Sequence, residues 1–373
     1  MSDMTQPAQP VVLMFAGQGA QHPRMAAGLY GREDTFSTWM DEAFRLFEDD
    51  GARLRSEWLA PAPSPMFDDV SVAQPLLYAV NHALGRMLLD RGLSPVAMLG
   101  HSVGELAAAT LAGVLEFAEG IRLMRGRMAQ FADTPPGGML AVAASVEEVA
   151  DVLGPQVHLA AVNASRQLLL AGEREPLDNA ARILGGRGLV CRDVMARQAF
   201  HSPVVAGAVA ASLPDWRSVR LTPPRLTVYS AYTQGVLGER EARDPEFWAG
   251  QASATVYFAP TLTTVLTEQP DCLLVEAGPG NSLSTLARRQ PAVATGRSAV
   301  LALLPDRCRG DEADIQAVEA AERRLFSRPP VPTPPVPTPP VPTQAVPTQA
   351  VPTQAGTAGS TPLAVPAETG GRP

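Results

Sequence analysis

The sequence predicts an α/β protein in which helices cover a parallel sheet and a small ferredoxin-like domain is inserted. Two observations predict this fold. Short apolar runs that end at Gly or Ser recur along the chain, and longer stretches with helical spacing separate them. The segment 134–196 has a different pattern, which reads as strand, helix, strand, strand, helix, strand. The apolar runs are VVLMFAG at 11–17, VAMLG at 96–100, LTVYS at 226–230 and CLLVEAG at 272–278.

The inserted segment predicts a small domain beside the main sheet, with a cleft between them. Its strand-like stretches are GGMLAVAAS and VHLAAVNASRQLLLAG, and its helical stretches are VEEVADVL and EPLDNAARILGGRG. We therefore expect a discontinuous large domain, 10–133 and 197–326, around a small domain at 134–196. The stretch DEADIQAVEAAERRLF at 311–326 has apolar residues at helical spacing and acidic residues at its start, which predicts a closing helix.

Repeats of PPVPT and then QAVPT fill much of the segment 327–373, which ends in a Gly-, Thr- and Ala-rich stretch. Such a segment cannot bury enough apolar surface to offset its chain entropy. We expect a disordered tail with polyproline II character, which is a spacer or a neutral appendage more readily than a docking segment.

Composition limits the classes of function. The chain has 373 residues, 46% of them hydrophobic, and a net charge of −8, which argues against a nucleic-acid binder. All 30 basic residues are arginine, which excludes Schiff-base or general-base chemistry by a lysine of this chain. The N-terminal stretch does not resemble a signal peptide and no apolar run reaches eighteen residues, so we expect a cytoplasmic protein without membrane contact. Three widely separated cysteines indicate neither disulfides nor a metal site: Cys191, Cys272 and Cys308.

The stretch VAMLGHSVGEL at 96–106 contains the pattern G-x-S-x-G after a predicted strand. This pattern is typical of the nucleophile elbow, a tight turn that presents a serine hydroxyl above a parallel sheet. The glycines matter because the strained turn leaves no room for side chains beside the serine. Such short patterns also occur by chance. Ser102 is therefore a candidate nucleophile, and the rest of the sequence must decide whether it acts as one.

A serine nucleophile needs a general base, and the chain has five histidines. His201, in the loop RQAFHSP where the chain returns to the large domain, is the preferred base. His101 is adjacent to Ser102, so it can support the turn but can hardly accept the Oγ proton. The remaining three are more typical of structural or solvated positions: His22, His82 and His158.

Acyl transfer also requires donors for an oxyanion, which two backbone N–H groups provide best. The elbow supplies the amide of Val103, and the glycine loop FAGQGAQ at 15–21 is placed to supply the second. A dinucleotide-binding loop is the competing interpretation. It is weaker because the third glycine of that pattern is missing.

Five motifs in order, FAGQGAQ, GHSVGELAAATLAGVL, AFHSP, FWAGQ and VEAGPGNSL, closely resemble the acyltransferases of fatty-acid and polyketide synthesis. These are the malonyl-CoA:acyl-carrier-protein transacylases and their polyketide-synthase relatives. The resemblance runs from about residue 11 to 326. It implies an α/β-hydrolase-like large domain with a parallel sheet and an inserted ferredoxin-like small domain.

The resemblance also implies roles for individual residues. Ser102 would be the acylated nucleophile and His201 its base, with the backbone amides of Gln18 and Val103 forming the oxyanion hole. Gln251 would orient the histidine, largely through a main-chain carbonyl in place of an acidic residue. Two further residues are expected at the substrate: His101 and Asn163.

The family binds a malonyl carboxylate through an arginine, and here the sequence departs from the family pattern. In IRLMRGRMAQ the motif identifies Arg125, whereas the distance from Ser102 identifies Arg127. Two helical residues are about 200° apart around the axis, so only one of them can face the pocket unless the helix is rearranged. If both are solvated, the pocket would not hold malonyl. The stretch AFHSP resembles malonyl-type domains more than methylmalonyl-type ones, which favours malonyl.

We expect a monomeric enzyme, acting in trans, that moves a malonyl group from coenzyme A to the phosphopantetheine of an acyl carrier protein in polyketide-type, antibiotic-forming biosynthesis. No permanently bound cofactor is expected. Two alternatives remain: transfer of an aminoacyl or peptidyl starter between carrier proteins, and hydrolysis of stalled acyl carriers. A non-enzymatic role is a more distant one. Because carrier proteins are acidic, five arginines are candidate contacts: Arg182, Arg187, Arg192, Arg288 and Arg289.

Overall fold

In the computed structural model, which describes residues 9–132 and 134–326, the strands form two separate sheets. The strands of the larger sheet are β1 Val11–Phe15, β2 Ala97–Gly100, β7 Val228–Ser230, β8 Gly235–Val236, β9 Leu273–Glu276 and β10 Ala299–Ala302. Those of the smaller sheet are β3 Gly137–Val142, β4 Val157–Ala164, β5 Gln167–Glu173 and β6 Cys191–Val194.

The helices of the described residues lie on both faces of the larger sheet and beside the smaller one. They are α1 Asp34–Leu46, α2 Asp49–Leu59, α3 Val70–Asp90, α4 Val103–Leu111, α5 Phe117–Ala132, α6 Val146–Val149, α7 Arg174–Gly186, α8 Ala206–Ser218, α9 Glu239–Ala242, α10 Pro245–Gly250, α11 Phe258–Glu268, α12 Ser282–Ala287, α13 Pro291–Ala294 and α14 Asp311–Phe326. Two short 3₁₀ helices lie at Ala27–Leu29 and Pro203–Val205.

The larger sheet has the strand order β10-β9-β1-β2-β7-β8, and its neighbours run parallel except for β8, which is antiparallel to β7. Each of the four apolar runs contains one of its strands, so the predicted parallel sheet is confirmed. Strands β8 and β10 were not predicted. The first has only two residues, and the apolar run around the second does not end at Gly or Ser.

The smaller sheet is antiparallel, with the order β4-β5-β3-β6. Its elements follow the predicted sequence of strand, helix, strand, strand, helix, strand. A capping box between Ser145 and Glu148 starts α6, which ends at Val149 and is shorter than the predicted stretch VEEVADVL. The sheet lies within 134–196, and the exact domain boundaries stay a prediction.

Alternating residues of β1 bury their side chains on opposite faces of the larger sheet, because successive strand residues point in opposite directions. Leu13 and Phe15 belong to the core on one face, and Val12 and Met14 belong to the core on the other. The smaller sheet packs against α7 over a core of its own. Fully buried central strands of this kind position the loops at their carboxyl ends rigidly.

A short backbone seam joins the two sheets. Val162 N–H on β4 donates to the carbonyl of Val256 at 2.8 Å, and Val256 N–H donates to the carbonyl of Ala160 at 2.9 Å. These bonds extend β4 toward the segment that precedes α11. The loop that follows α10 is therefore held between the large and small sheets.

At the C-terminal end of the described residues, α14 confirms the predicted closing helix, with Asp311, Glu312 and Asp314 in its first turn. The segment 327–373, predicted to be a disordered tail, lies outside the described residues. Within the described part of the chain, none of the helices combines the length and apolar character needed to cross a bilayer.

Candidate active site

Ser102 occupies a tight turn between β2 and α4. Its backbone has φ 53° and ψ −120°, a conformation that non-glycine residues rarely adopt. A Cβ on Gly100 would lie 2.1 Å from the backbone nitrogen of Glu105, and one on Gly104 would lie 2.1 Å from the carbonyl oxygen of Phe15. Only glycine fits these two positions, so the turn presses closely on β1 and presents Ser102 at the carboxyl edge of the sheet.

His201 faces this serine from the loop after β6. Its Nε2 lies 3.0 Å from Ser102 Oγ. Its Nδ1 lies 3.1 Å from the carbonyl oxygen of Gln251 and 3.0 Å from that of Ala254, so Nδ1 carries the hydrogen and donates it to these acceptors. The lone pair of Nε2 is therefore available to accept the Ser102 proton. The backbone N–H of His201 is anchored to the carbonyl of Ala252 at 2.7 Å.

The electrostatic surroundings keep the His201 imidazole neutral. Burial lowers the pKa of His201 to about 3, and the nearby His101 and Arg127 act in the same direction. The carbonyl acceptors of Gln251 and Ala254 oppose this shift but do not reverse it. A neutral imidazole with its lone pair toward a serine hydroxyl is the arrangement that general-base catalysis needs.

The backbone amides of Gln18 and Val103 are free to act as donors, because neither gives a hydrogen bond to any residue that the structure describes. The loop that carries Gln18 lies directly against the elbow, since a Cβ on Gly17 would be 2.4 Å from the carbonyl oxygen of His101. Gln18, His101, Ser102 and His201 line one cavity of about 40 Å³.

A side chain of α3 and a backbone carbonyl of the preceding loop hold the Gln18 loop in place. Gln74 Nε2 donates to Gln18 Oε1 at 2.9 Å, and Gln18 Nε2 donates to the carbonyl of Asp68 at 3.1 Å. The Gln18 side chain is thus used for anchoring, and its backbone amide gives no hydrogen bond to any described residue.

His101 and Asn163 contact each other, with His101 Nε2 lying 2.8 Å from Asn163 Oδ1. Asn163 is buried on β4, whereas His101 lines the cavity beside Ser102. The structure therefore brings His101 to the cavity wall, and Asn163 reaches the site by holding the His101 ring.

The two arginines of α5 point in different directions. Arg125 Nη1 forms an ion pair with Glu48 Oε1 at 2.7 Å, so the residue identified by motif is turned away from the site. The guanidinium of Arg127 lies 5.1 Å from the ring centre of Phe131, and its charge acts on His201. Arg127 forms no ion pair with any of the described residues. Of the two predicted substrate-binding arginines, only Arg127, the one chosen by distance from Ser102, acts electrostatically on His201. The cavity that Arg127 lines is separate from the one lined by Ser102.

A comparison with protein families identifies the chain. Residues 12–321 match the model of the acyl transferase domain. The chain belongs to the acyl transferase family.

Curated relatives of this acyltransferase are polyketide synthases. It is 33% identical over 295 residues to a phenolphthiocerol/phthiocerol polyketide synthase of Mycobacterium tuberculosis, an alignment that covers 79% of this chain and 20% of the relative. It is 32% identical over 281 residues to the polyketide synthase GfsB of Streptomyces halstedii, which covers 74% of this chain and 5% of the relative. The chain thus spans a small part of the synthases it matches.

Solved structures share the fold of this acyltransferase. The acyl transferase domain of SpnD in complex with 2-(pent-4-yn-1-yl)malonyl is 28% identical, with a TM-score of 0.79 over 86% of this chain and 77% of that chain. A type II polyketide synthase acyl-carrier protein in complex with its malonyl-transacylase gives 22% identity and a TM-score of 0.72, covering 84% of this chain and 100% of the other. At 22% identity, the similarity to the malonyl-transacylase complex shows a shared fold only.

The acyltransferase site contains a buried acid that sequence reasoning missed. Glu105 Oε1 accepts a hydrogen bond from Gln251 Nε2 at 3.1 Å, and Glu105 Oε2 accepts one from the backbone N–H of Ala231 at 2.8 Å. Burial raises the pKa of Glu105 to about 8. A sequence signal existed, because Glu105 is the single charged residue in the otherwise apolar helix VGELAAATL.

Tyr232 was also missed. It follows β7, the strand next to β2 in the sheet, and its ring centre lies 6.3 Å from that of His201. The signal that could have found it is positional, since adjacent parallel strands end at the same sheet edge. The acyltransferase thus has a phenol beside His201.

The arginines predicted to meet a carrier protein do not form one patch of free charge. Arg187 pairs with Asp151 at 2.5 Å, and Arg289 donates to Gln167 at 2.7 Å. A carrier-protein contact at these positions stays a prediction. The other three arginines are exposed: Arg182, Arg192 and Arg288.

Proposed function

We propose that this acyltransferase moves a malonyl group from coenzyme A to the phosphopantetheine thiol of an acyl carrier protein in polyketide-type biosynthesis. Arg127 is the residue on which the proposal depends, because its charge acts on His201, whose Nε2 lies 3.0 Å from Ser102 Oγ, and because it has no ion-pair partner among the described residues. A guanidinium binds a carboxylate through two parallel hydrogen bonds, and a malonyl group ends in a carboxylate. The malonyl derivative bound to the SpnD domain supports a dicarboxylic acyl group.

The first half of the reaction acylates the enzyme. Ser102 Oγ attacks the thioester carbonyl of malonyl-CoA while its proton passes to His201 Nε2, which lies 3.0 Å away. The carbonyl oxygen becomes an oxyanion, and the amides of Gln18 and Val103 donate to it. When the C–S bond breaks, the imidazolium returns its proton to the coenzyme A sulfur. An ester on Ser102 remains.

The second half repeats these steps with a different thiol. His201 takes the proton of the phosphopantetheine thiol, and the sulfur attacks the ester carbonyl on Ser102. The oxyanion forms at the same two amides, and the ester C–O bond breaks as Ser102 Oγ regains a proton from the imidazolium. Malonyl-phosphopantetheine leaves. Delivery to a carrier protein on a separate chain stays a prediction.

Intact-protein mass measurement after brief incubation with malonyl-CoA, acetyl-CoA or an acyl carrier protein bearing an acyl group tests the proposal. We expect a malonyl adduct on the wild-type protein and none on Ser102→Ala, because the variant lacks the attacking oxygen. Addition of a phosphopantetheine-bearing carrier protein should then discharge the adduct onto the carrier.

The other outcomes separate the alternatives. An adduct that forms from carrier-bound acyl groups but not from malonyl-CoA would establish a shuttle between carriers. Discharge to water that the carrier protein does not outcompete would establish a hydrolase. A malonyl adduct on Ser102→Ala would contradict the serine mechanism.

A further inference from the structure

Tyr232 lies at the same position relative to its strand, β7, as Ser102 does relative to the adjacent strand, β2. Strands β2 and β7 pair in parallel with Leu99 opposite Tyr229, and Ser102 and Tyr232 each follow three residues later. Both residues therefore lie at the carboxyl edge of the sheet, three positions beyond paired residues of adjacent strands. Tyr232 is thus a neighbour of the nucleophile by topology, and it is not one of the residues that the motifs of the sequence pointed to.

The backbone around Tyr232 is fixed on several sides. Its N–H donates to Ser230 Oγ at 3.2 Å. The preceding residue, Ala231, donates its N–H to Glu105 at 2.8 Å and accepts the N–H of Tyr257 at 2.7 Å. Because Glu105 belongs to the helix that starts at the nucleophile, the same carboxyl group positions Tyr232 relative to Ser102.

The Tyr232 ring fills a definite place in the site. Its centre lies 6.3 Å from the ring of His201, and Phe247 packs edge-on against it at 6.5 Å with an interplanar angle of 87°. Burial raises the pKa of the Tyr232 phenol, and Arg127 and Ser102 both act in the opposite direction, so both residues are close enough to influence its hydroxyl. The phenol therefore stands near the two groups that would hold the two ends of the acyl chain.

The short length of a malonyl group limits where Tyr232 can lie relative to a bound malonyl ester. One carbon atom separates the carbonyl that would be attached to Ser102 from the carboxylate that would bind Arg127. A side chain close to both residues must lie beside that α-carbon. We infer that Tyr232 forms the wall of the acyl pocket at the α-carbon, so that the site accepts malonyl and rejects malonyl groups with an α-alkyl branch.

This inference rests on the proposed function, since it assumes that Arg127 binds the distal carboxylate. It assigns the ring and the hydroxyl different tasks. The ring excludes an α-substituent by bulk, whereas the hydroxyl is a hydrogen-bond donor near the ester oxygen. Burial and the charge of Glu105 raise the pKa of Tyr232 far above its usual value, so the phenol keeps its proton.

A competition experiment separates these two tasks. Wild-type protein, Tyr232→Val and Tyr232→Phe are each incubated with an equimolar mixture of malonyl-CoA and methylmalonyl-CoA, and the two adducts are resolved by intact mass. Because a methylene group in an apolar pocket is worth about 10- to 200-fold in discrimination, we expect Tyr232→Val to raise the methylmalonyl-to-malonyl ratio by at least about tenfold. Tyr232→Phe, which keeps the ring, should leave the ratio unchanged while lowering the malonylation rate a few-fold.

Each result points to one conclusion. A ratio that rises in the valine variant but not in the phenylalanine variant supports the wall. A wild-type protein that forms the malonyl adduct, together with an unchanged ratio in Tyr232→Val, overturns this inference and leaves the proposed function intact. A wild-type protein that forms no malonyl adduct overturns the proposed function, and the inference with it.

Discussion

His201 is oriented by two backbone carbonyls, from Gln251 and Ala254, and no carboxylate of the described residues lies against its Nδ1. Carbonyl oxygens fix the tautomer and the ring direction as a carboxylate would, but they carry no full negative charge. The imidazolium that forms during the reaction is therefore stabilised less than in a triad with aspartate. Burial lowers the pKa of His201, and the two carbonyl partners oppose this shift only in part.

Replacement of the base should show its contribution directly. We expect His201→Ala to lower the rate of acylation by about 10²- to 10⁴-fold, since general-base catalysis contributes about this much. The fold should be kept, which circular dichroism can check. Acylation at the wild-type rate in this variant would remove His201 from the role.

The low pKa of His201 also predicts an unusual pH profile. The base is active when it is unprotonated, and its pKa of about 3 keeps it so well below the usual histidine range. We expect kcat/KM for acylation to stay flat between pH 8 and 5 as far as this group is concerned, with circular dichroism at each pH to confirm that the protein is folded. An acid limb centred near 6.5 in folded protein would contradict the prediction.

The two arginines of α5 offer a matched pair. Arg127→Gln should lower kcat/KM for malonyl-CoA by about 10²-fold, because hydrogen bonds to a charged group contribute about 1.5–3 kcal/mol each. Acetyl-CoA, which lacks the carboxylate, should be affected little. Arg125→Gln, which breaks only the ion pair with Glu48 at the surface, is the control and should leave both substrates unchanged. Equal losses in the two variants would exclude a specific role for Arg127.

At the scale of elements, Glu105 connects three parts of the site. It belongs to α4, it binds the loop after β7 through Ala231, and it binds the turn after α10 through Gln251. The nucleophile, the residues that orient the base and Tyr232 are therefore positioned by one buried carboxyl group. It acts through these neighbours and not on substrate.

Glu105→Gln tests this positioning role. The amide brings an NH₂ group where the carboxyl accepts, so one buried donor loses its partner and the free energy of unfolding should fall by about 1–3 kcal/mol. We expect kcat for malonyl transfer to drop by roughly tenfold or more with little change in KM, because the variant disturbs geometry and not binding. Glu119→Gln, a part-exposed acid on α5, serves as the control. A variant that loses stability but keeps kcat would make Glu105 merely structural.

The elements that were predicted well are those whose signal is local. Four apolar runs located the central strands, and G-x-S-x-G located the elbow, because each depends on a few consecutive residues. Arg125 and Arg127 could not be separated from sequence, since their direction depends on how α5 is seated beside Glu48 and Phe131. Tyr232 and Ala254 escaped notice because their importance arises from strands and turns that are distant along the chain.

At the scale of the whole molecule, the buried acid predicts how stability depends on pH. The folded pKa of Glu105 is about 8, whereas the unfolded value is 4.5. Its contribution to stability is fully present below pH 4.5 and is lost as the pH rises through 8, because only the unfolded chain can ionise it freely. The free energy of unfolding should therefore fall by about 1.4 kcal/mol per pH unit between 6.5 and 8 from this group.

Thermal unfolding followed by calorimetry measures this slope. We expect the wild-type Tm to decrease from pH 6.5 to 8, and Glu105→Gln to start lower but to decrease less. His82 and His201, whose pKa values burial lowers to about 3, have the opposite sign and act below pH 6.5, so they do not contribute in this window. A wild-type Tm that rises toward pH 8 would contradict the prediction.

The seam between the two sheets bears on any attempt to graft a small sheet from another acyltransferase onto this chain. The bonds between Val256 and β4 use backbone atoms alone and demand a fixed register, whereas the side chain at Ala160 is fully buried, so any replacement there must also fit the core. Two residues before Val256, the carbonyl of Ala254 receives the His201 hydrogen. A donor sheet that keeps a residue of similar size at Ala160 should therefore be tolerated, whereas a single inserted residue between 254 and 256 should not. The length of this segment positions the carbonyl that orients the His201 ring.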